Sequence, residues 1–251
     1  MKSLRSLVSV SALLALAPFA LAADVGFKSI FNGKDLTGWE GLGFWSVKDG
    51  AIVGQTTAEK PTKGNTFLIW KGGTPANFEL RVKFRLTAQN DKAFGNSGIQ
   101  YRSRIVDAAG FVVGGYQADI DLSGAYAGML YEEKGRGLVM SPGEKIKIGA
   151  TTMIDDPKKP GTKKSKTEVE KLPGATPPAE ILAGYKRGEW NDFVIIAEGN
   201  HLRHYLNGKL SADVTDTDAT RGAASGVLAL QLHAGAPMTI EFKDVRLKTL
   251  P

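Results

Sequence analysis

The segment Tyr116-Gln117-Ala118-Asp119-Ile120-Asp121-Leu122 is well suited to acid–base chemistry. Its alternation of polar and apolar residues predicts a β-strand on which Gln117, Asp119 and Asp121 project from the same face. Alternate residues of a strand lie about 6.6 Å apart, so the two carboxylates should not ionise independently. One of them is expected to have a raised pKa, which makes both candidates for a general acid or base.

Two other predicted strands carry polar residues at alternate positions. Ser97-Gly98-Ile99-Gln100-Tyr101-Arg102 places Gln100 and Arg102 on one face, and the strand that begins at Val227 places Gln231 and His233 together. If these strands are neighbours, their polar faces line a cleft on one sheet. Arg102 would then compensate the negative charge of the two aspartates.

A divalent cation is a second way to compensate that charge, with Asp119, Glu132 and His233 as its possible ligands. Arg136 is a further candidate for charge compensation. The sequence has no tight ligand spacing such as H-x-x-x-H, so it leaves the choice between an ion and an arginine open. Trp45 follows a glycine-rich turn, and it can either stack on a sugar ring or belong to the core.

The elements that must position these residues are short strands of period two, bounded by Gly, Asn or Asp. They predict an all-β sandwich of two antiparallel sheets in a single domain, residues 23–251. Pro, Lys, Gly and Thr dominate a stretch of about residues 155–179. We expect a mobile surface loop there, with a lid over the site as the alternative.

The first residues have the pattern of a secretory signal peptide. Lys2 and Arg5 precede an apolar run from Leu7 to Leu21, and Ala20 and Ala22 form a small-residue cleavage signal, which predicts a signal peptide over residues 1–22. The apolar run is too short for a membrane span. We therefore expect a periplasmic or secreted protein that is not inserted in a membrane.

Composition narrows the possible chemistry. The chain contains no cysteine, which excludes disulfides, thiolate metal sites and a lipidated N-terminal cysteine. The formal net charge is +6, but the sequence shows no basic stripe interleaved with aromatic residues, so we expect no nucleic-acid partner. The sequence makes no prediction of the oligomeric state.

Several motifs, taken in order, resemble one known family, the 3-keto-disaccharide hydrolase domain family. They are Ile30-Phe31-Asn32-Gly33-Lys34-Asp35-Leu36-Thr37-Gly38-Trp39, Asn96-Ser97-Gly98-Ile99, Gly115-Tyr116-Gln117, Gly188-Glu189-Trp190-Asn191, Leu206-Asn207-Gly208 and Leu230-Gln231-Leu232-His233-Ala234-Gly235. The resemblance implies a concanavalin A-like jelly-roll sandwich. It also implies a carbohydrate substrate, a glycoside or oligosaccharide whose C3 hydroxyl has been oxidised to a ketone.

On such a substrate the expected reaction is removal of the C2 proton, β-elimination of the group at C1, and hydration. The candidates for base, acid or metal ligand are Asp119, Asp121, Glu132 and His233. The candidates for substrate binding are Asn96, Gln100, Arg102, Gln117, Tyr131, Arg136, Gln231 and Trp45. This chain has Gln117-Ala118-Asp119 where the family leads us to expect Glu-x-Gln, so the carboxylate and the amide exchange places.

Two other functions fit the same fold. A retaining jelly-roll glucanase places two carboxyl groups about 5 to 5.5 Å apart across the scissile bond, and Gln117 with Asp121 suits that pattern poorly. A non-catalytic, lectin-like module would bind glycan through aromatic and amide side chains and would not need paired acids.

Overall fold

The computed structural model describes residues 25–251, so the predicted signal peptide lies outside the described residues. The strands run in chain order as β1 (Lys28–Ser29), β2 (Trp39–Glu40), β3 (Trp45–Lys48), β4 (Ala51–Thr56), β5 (Thr66–Trp70), β6 (Phe78–Ala88), β7 (Asn96–Asp107), β8 (Val112–Asp121), β9 (Leu130–Glu133), β10 (Gly137–Leu138), β11 (Lys145–Asp155), β12 (Lys163–Lys171), β13 (Asn191–Glu198), β14 (His201–Leu206), β15 (Lys209–Asp216), β16 (Val227–Leu232) and β17 (Met238–Thr249). A 3₁₀ turn spans Leu42–Phe44, and a short helix, α1, spans Pro178–Gly184.

The strands form two sheets that pack face to face. One has ten strands, in the order β12-β11-β15-β14-β13-β6-β17-β4-β3 with β1 beside β17, and the other has seven, in the order β10-β9-β8-β7-β16-β5-β2. All neighbours are antiparallel except β11 and β15, which pair in parallel. The predicted all-β jelly-roll sandwich is therefore confirmed, with one parallel pair that the sequence did not reveal.

The core lies between the two sheets and follows the period of the strands. On β6, alternate residues from Phe78 to Leu86 are buried while the charged residues between them are partly exposed. On β8, Tyr116, Ala118 and Ile120 point into the same core. The intervening Gln117 and Asp119 must then project from the outward face of the seven-stranded sheet.

The stretch predicted as a loop, about residues 155–179, is mostly ordered secondary structure. Residues 163–171 form β12, which pairs with β11 in an antiparallel hairpin at the edge of the ten-stranded sheet. The prediction of a structureless loop is wrong because an exposed edge strand has little apolar surface to reveal it. Lysines suit such an edge, since they oppose pairing with another chain.

Neither helical segment of residues 25–251 has the length and apolar character needed to cross a membrane.

Candidate functional site

A cleft of about 320 Å³ lies on the outward face of the seven-stranded sheet. Its polar floor is formed by Asn65, Asn96, Gln117, Asp119, Glu133, Gln231 and His233. Its other lining residues are apolar or aromatic, namely Tyr126, Met129, Tyr131 and Leu138. Strands β7, β8, β9 and β16, which are neighbours in the sheet, supply most of the floor.

Asp119 is the most buried acid of this cleft, with 4% of its surface exposed. Gln117 Nε2 donates to its Oδ1 at 2.8 Å, and Asn96 Nδ2 lies 3.4 Å from its Oδ2. Burial raises the pKa of Asp119 to about 7, and the two amides oppose this rise only in part. The sequence predicted a raised pKa from charge repulsion, whereas the main cause is loss of solvent, with Asp121 and Glu133 adding to it.

Gln117 is held by a network of buried amides. Its Oε1 accepts hydrogen bonds from Gln100 Nε2 at 2.7 Å and from Gln231 Nε2 at 2.8 Å. The side chain crosses over Gly98, where an added Cβ would lie only 2.4 Å from its Cδ. Gln100 does not line the cleft, but its hydrogen bond supports Gln117, which does. Gln231 Oε1 is buried without a hydrogen-bond partner among the described residues.

Glu133 is the second acid of the cleft, whereas its neighbour Glu132 was the acid predicted from the sequence. Glu133 Oε2 accepts from Gln231 Nε2 and from Asn65 Nδ2, each at 3.2 Å. Side chains alternate between the two faces of β9. Because Leu130 is buried on the inward face, Tyr131 and Glu133 point outward. The sequence alone leaves this choice open, because Leu130 and Tyr131 are adjacent apolar residues and either could be the inward one.

His233 and Tyr131 add groups that can exchange or donate protons. His233 Nδ1 donates to the carbonyl of Ala234, which leaves Nε2 as the ring nitrogen free for a ligand. The ring packs edge-on against Phe94, with centroids 5.7 Å apart. Burial, together with the carboxylates of the cleft, raises the pKa of Tyr131, so its hydroxyl remains a hydrogen-bond donor.

Glu132 and Arg136 belong to the interior of the sandwich and not to the cleft. The Arg136 guanidinium is fully buried, where it pairs with Glu132 and with Asp216. Tyr116 Oη donates to Asp216 at 2.5 Å in the same cluster. Contrary to the prediction, Glu132 and Arg136 do not join Asp119 in the cleft, because Glu132 faces the core beside Tyr116.

Arg102 does not lie on the same face as Gln100, where the sequence predicted it. Its φ is +46°, and the pairing of β7 with β8 shifts register between Tyr101 and Arg104. This bulge breaks the alternation, so the Arg102 side chain leaves the face of Gln100 and donates to the carbonyls of Ala76 at 2.6 Å and Gly199 at 2.6 Å. The Arg102 side chain thus binds backbone carbonyls and does not compensate the charge of Asp119 and Asp121.

Trp45 and Asp121 do not line the cleft either. Trp45 is buried in the ten-stranded sheet, 6.4 Å from Phe242 between ring centroids, so it belongs to the core and not to a sugar platform. Asp121 lies at the end of β8, where its carboxylate binds Ser123 Oγ and the backbone N–H of Tyr126. It shapes the loop beside the cleft and raises the pKa of Asp119 from there.

The residues present do not suit the metal site that the sequence suggested. Glu132 is held in the interior by Arg136, so it cannot join Asp119 and His233 around an ion. Residues 25–251 contain no cluster of three or more His, Asp or Glu side chains arranged to hold a metal. Three or more such ligands are typical of protein metal sites.

Comparison with known proteins assigns the family. The model of the 3-keto-alpha-glucoside-1,2-lyase-like domain matches residues 26–248. The chain belongs to this family. Membership makes it a carbohydrate-active domain and agrees with the resemblance found from the sequence motifs.

Solved structures share the fold at low sequence identity. A protein described as a glycosyl hydrolase from Parabacteroides distasonis is 21% identical, with a TM-score of 0.53 over 90% of this chain and 94% of that one. The carbohydrate binding module CBM66 from Bacillus subtilis is 15% identical, with a TM-score of 0.52 over 85% of this chain and 96% of that one. Curated proteins gave no significant match.

Proposed function

We propose that this protein cleaves 3-keto-glycosides by abstraction of the C2 proton, β-elimination of the aglycone from C1, and hydration of the product. The observation that carries the proposal is Asp119, a buried carboxyl in the floor of the cleft whose pKa is about 7. A base of this pKa is half ionised near neutral pH and still strong enough to remove a proton made acidic by a neighbouring ketone. Membership of the 3-keto-alpha-glucoside-1,2-lyase-like family supports a ketone-bearing substrate.

In the first step, Asp119 takes the proton from C2, and the electron pair of the C–H bond forms the enolate at C2, C3 and the C3 oxygen. The hydroxyl of Tyr131 and the second N–H of Asn96 are the donors of the cleft suited to hydrogen-bond that oxygen.

In the second step, the enolate restores the C3 ketone, the C1–C2 double bond forms, and the C1–oxygen bond breaks. The leaving oxygen needs a proton, and an imidazolium, which carries a proton on both ring nitrogens, can supply one. We assign this role to His233, because its Nδ1 is fixed by the Ala234 carbonyl and its Nε2 remains free. Water then adds its oxygen to C1 and gives its spare proton to His233, while Asp119 returns its proton to C2, so both residues are restored and the net reaction is hydrolysis.

Glu133 positions the site in this proposal. Its carboxylate orients Gln231 and Asn65, and its negative charge raises the pKa of Asp119. No step requires a metal ion. The predicted signal peptide supports a periplasmic or secreted location, where such glycosides would reach the protein from outside the cell.

The test is incubation with 3-keto-glucosides, with release of the aglycone and formation of the unsaturated intermediate as the readouts. Asp119→Asn should reduce kcat by about 100- to 10,000-fold, the usual contribution of a general base. Asp192→Asn is the matched control, since Asp192 is a partly exposed carboxylate on the other sheet that pairs with Lys83. It should leave kcat unchanged.

The same experiment separates the two other functions. Cleavage of an unoxidised glucoside, with none of its 3-keto form, would indicate a conventional glucanase. Binding of glycan with no turnover of either substrate would indicate a lectin-like module. Full activity of Asp119→Asn would exclude Asp119 as the base.

A further inference from the structure

We infer that the cleft contains an aglycone subsite for an uncharged, apolar group, so that the substrates are neutral 3-keto-glycosides of aromatic or alkyl alcohols. This inference deepens the proposed function and rests on it. It concerns the side of the cleft formed by β9, β10 and the loop after β8, of which the chemistry above uses only the hydroxyl of Tyr131 and the carboxylate of Glu133.

That side of the cleft is an apolar wall, defined by Tyr126, Met129, Tyr131 and Leu138. Leu138 and Tyr131 are cross-strand partners in the pairing of β10 with β9, so they lie side by side on the outward face. Tyr131 in turn pairs with Gln117, which binds Asp119. The wall is therefore continuous with the catalytic floor.

Two residues of the apolar wall are unusually exposed. Leu138 is 58% exposed and Tyr126 is 50% exposed, and both line the cavity that holds Asp119. Large apolar side chains left in water beside a polar site indicate a surface that a ligand covers. A group attached at C1 of a sugar over Asp119 would extend from the floor onto such a wall.

The chemistry of the wall favours an apolar group over a second sugar. A sugar ring carries several hydroxyls, each of which needs a hydrogen-bond partner when it leaves water. The wall offers only the two tyrosine hydroxyls, because Leu138 and Met129 provide no such partner. A phenyl or alkyl group needs none.

The charge of the cleft favours a neutral ligand. Its lining contains the carboxyls of Asp119 and Glu133, and no Lys or Arg among the described residues lines it. The cation closest to Glu133, Lys134, is mostly exposed, with Nζ 3.8 Å from Oε1. A negatively charged aglycone would be repelled by the acids and would find no buried cation.

The test compares benzyl and methyl 3-keto-glucosides, each as both anomers, whose leaving alcohols have similar acidity. The wild-type protein should prefer the benzyl glucoside by about tenfold in kcat/KM, the effect of burying one or two methylene-sized groups. The double variant Tyr126→Ala/Leu138→Ala should reduce that preference by about fivefold or more. A 4-carboxybenzyl 3-keto-glucoside, matched in shape, should react at least about tenfold more slowly than the benzyl compound.

Val169→Ala is the control variant, because it truncates an exposed apolar residue on β12 of the other sheet and should leave the preference as it is. Tyr126→Phe, which keeps the ring, should also retain the preference. Thermal unfolding of all variants checks that the exposed substitutions leave the fold intact.

Each result bears on a separate claim. A benzyl-to-methyl ratio near one, or a ratio that the double variant does not change, overturns the aglycone subsite while the proposed reaction stands. A 3-keto-disaccharide preferred over the benzyl compound, with that preference lost in the double variant, would make the wall a sugar subsite and also overturn it. Absence of turnover with every 3-keto-glycoside overturns the proposed reaction itself, and the aglycone subsite with it.

Discussion

Asp119→Asn should inactivate the protein. Its stability relative to the wild type should also increase as the pH rises. Asp119 is nearly fully buried, and burial raises its pKa from the ordinary value of 3.8 to about 7. Between these two values the folded protein holds a proton that the unfolded chain has released. The contribution of Asp119 to the free energy of unfolding is therefore greatest below about pH 3.8, and it is lost progressively as the pH rises to about 7.

The expected size follows from the two pKa values. A difference of about three units corresponds to about 4 kcal/mol over the whole range, of which about 2 to 3 kcal/mol is lost between about pH 5 and pH 8. An Asn at this position has no charge to desolvate. Its amide does face the donors Gln117 and Asn96, but this cost is the same at both pH values.

The assay is urea unfolding of the wild-type protein and of Asp119→Asn at the two pH values. The variant should gain about 2 to 3 kcal/mol relative to the wild type between about pH 5 and pH 8. Asp192→Asn, at a more exposed carboxylate, should show no such gain. If the stability difference between Asp119→Asn and the wild type is the same at both pH values, Asp119 is ionised without cost and the argument for a buried base is refuted.

Three other perturbations test the support of the site. Gly98→Ala should displace the Gln117 side chain and lower kcat/KM by about 10- to 100-fold, with a loss of stability of about 1 to 3 kcal/mol because buried hydrogen bonds of Gln117 are disrupted; an unchanged kcat/KM would show that the position of Gln117 is unimportant. Arg136→Ala should destabilise the fold by about 3 to 5 kcal/mol in urea unfolding, since it leaves Glu132 and Asp216 as buried, unpaired carboxylates; a loss below about 1 kcal/mol would contradict this. Prolonged treatment with a chelator should leave turnover within about twofold, since the cleft lacks a set of metal ligands, and loss of activity restored by a divalent cation would overturn that reading.

The regular parts of the strands could be predicted from the sequence. Alternation along β8 correctly placed Gln117 and Asp119 on one outward face, because buried residues between them fix the orientation of the whole strand. In such strands the core determines which side chains reach the outward face.

The predictions failed where the alternation was interrupted or the strand was too short to set it. The bulge at Arg102, with its positive φ, redirects a side chain that period two would place beside Gln100. In β9, four residues long, both Glu132 and Glu133 are buried, and only pairing with β8 distinguishes the inward acid from the outward one. Such local features depend on contacts between strands that are distant in sequence.

The pH dependence of kcat/KM for a 3-keto-glucoside tests the central claim most directly, measured in the wild-type protein and in His233→Gln so that the imidazole is separated from the carboxyl. If Asp119 is the base, kcat/KM rises about tenfold per pH unit below about 7, and this inflection persists in His233→Gln, where loss of the acid leaves a plateau at higher pH. An inflection near the ordinary pKa of an aspartate, or one that disappears in His233→Gln, would contradict the account.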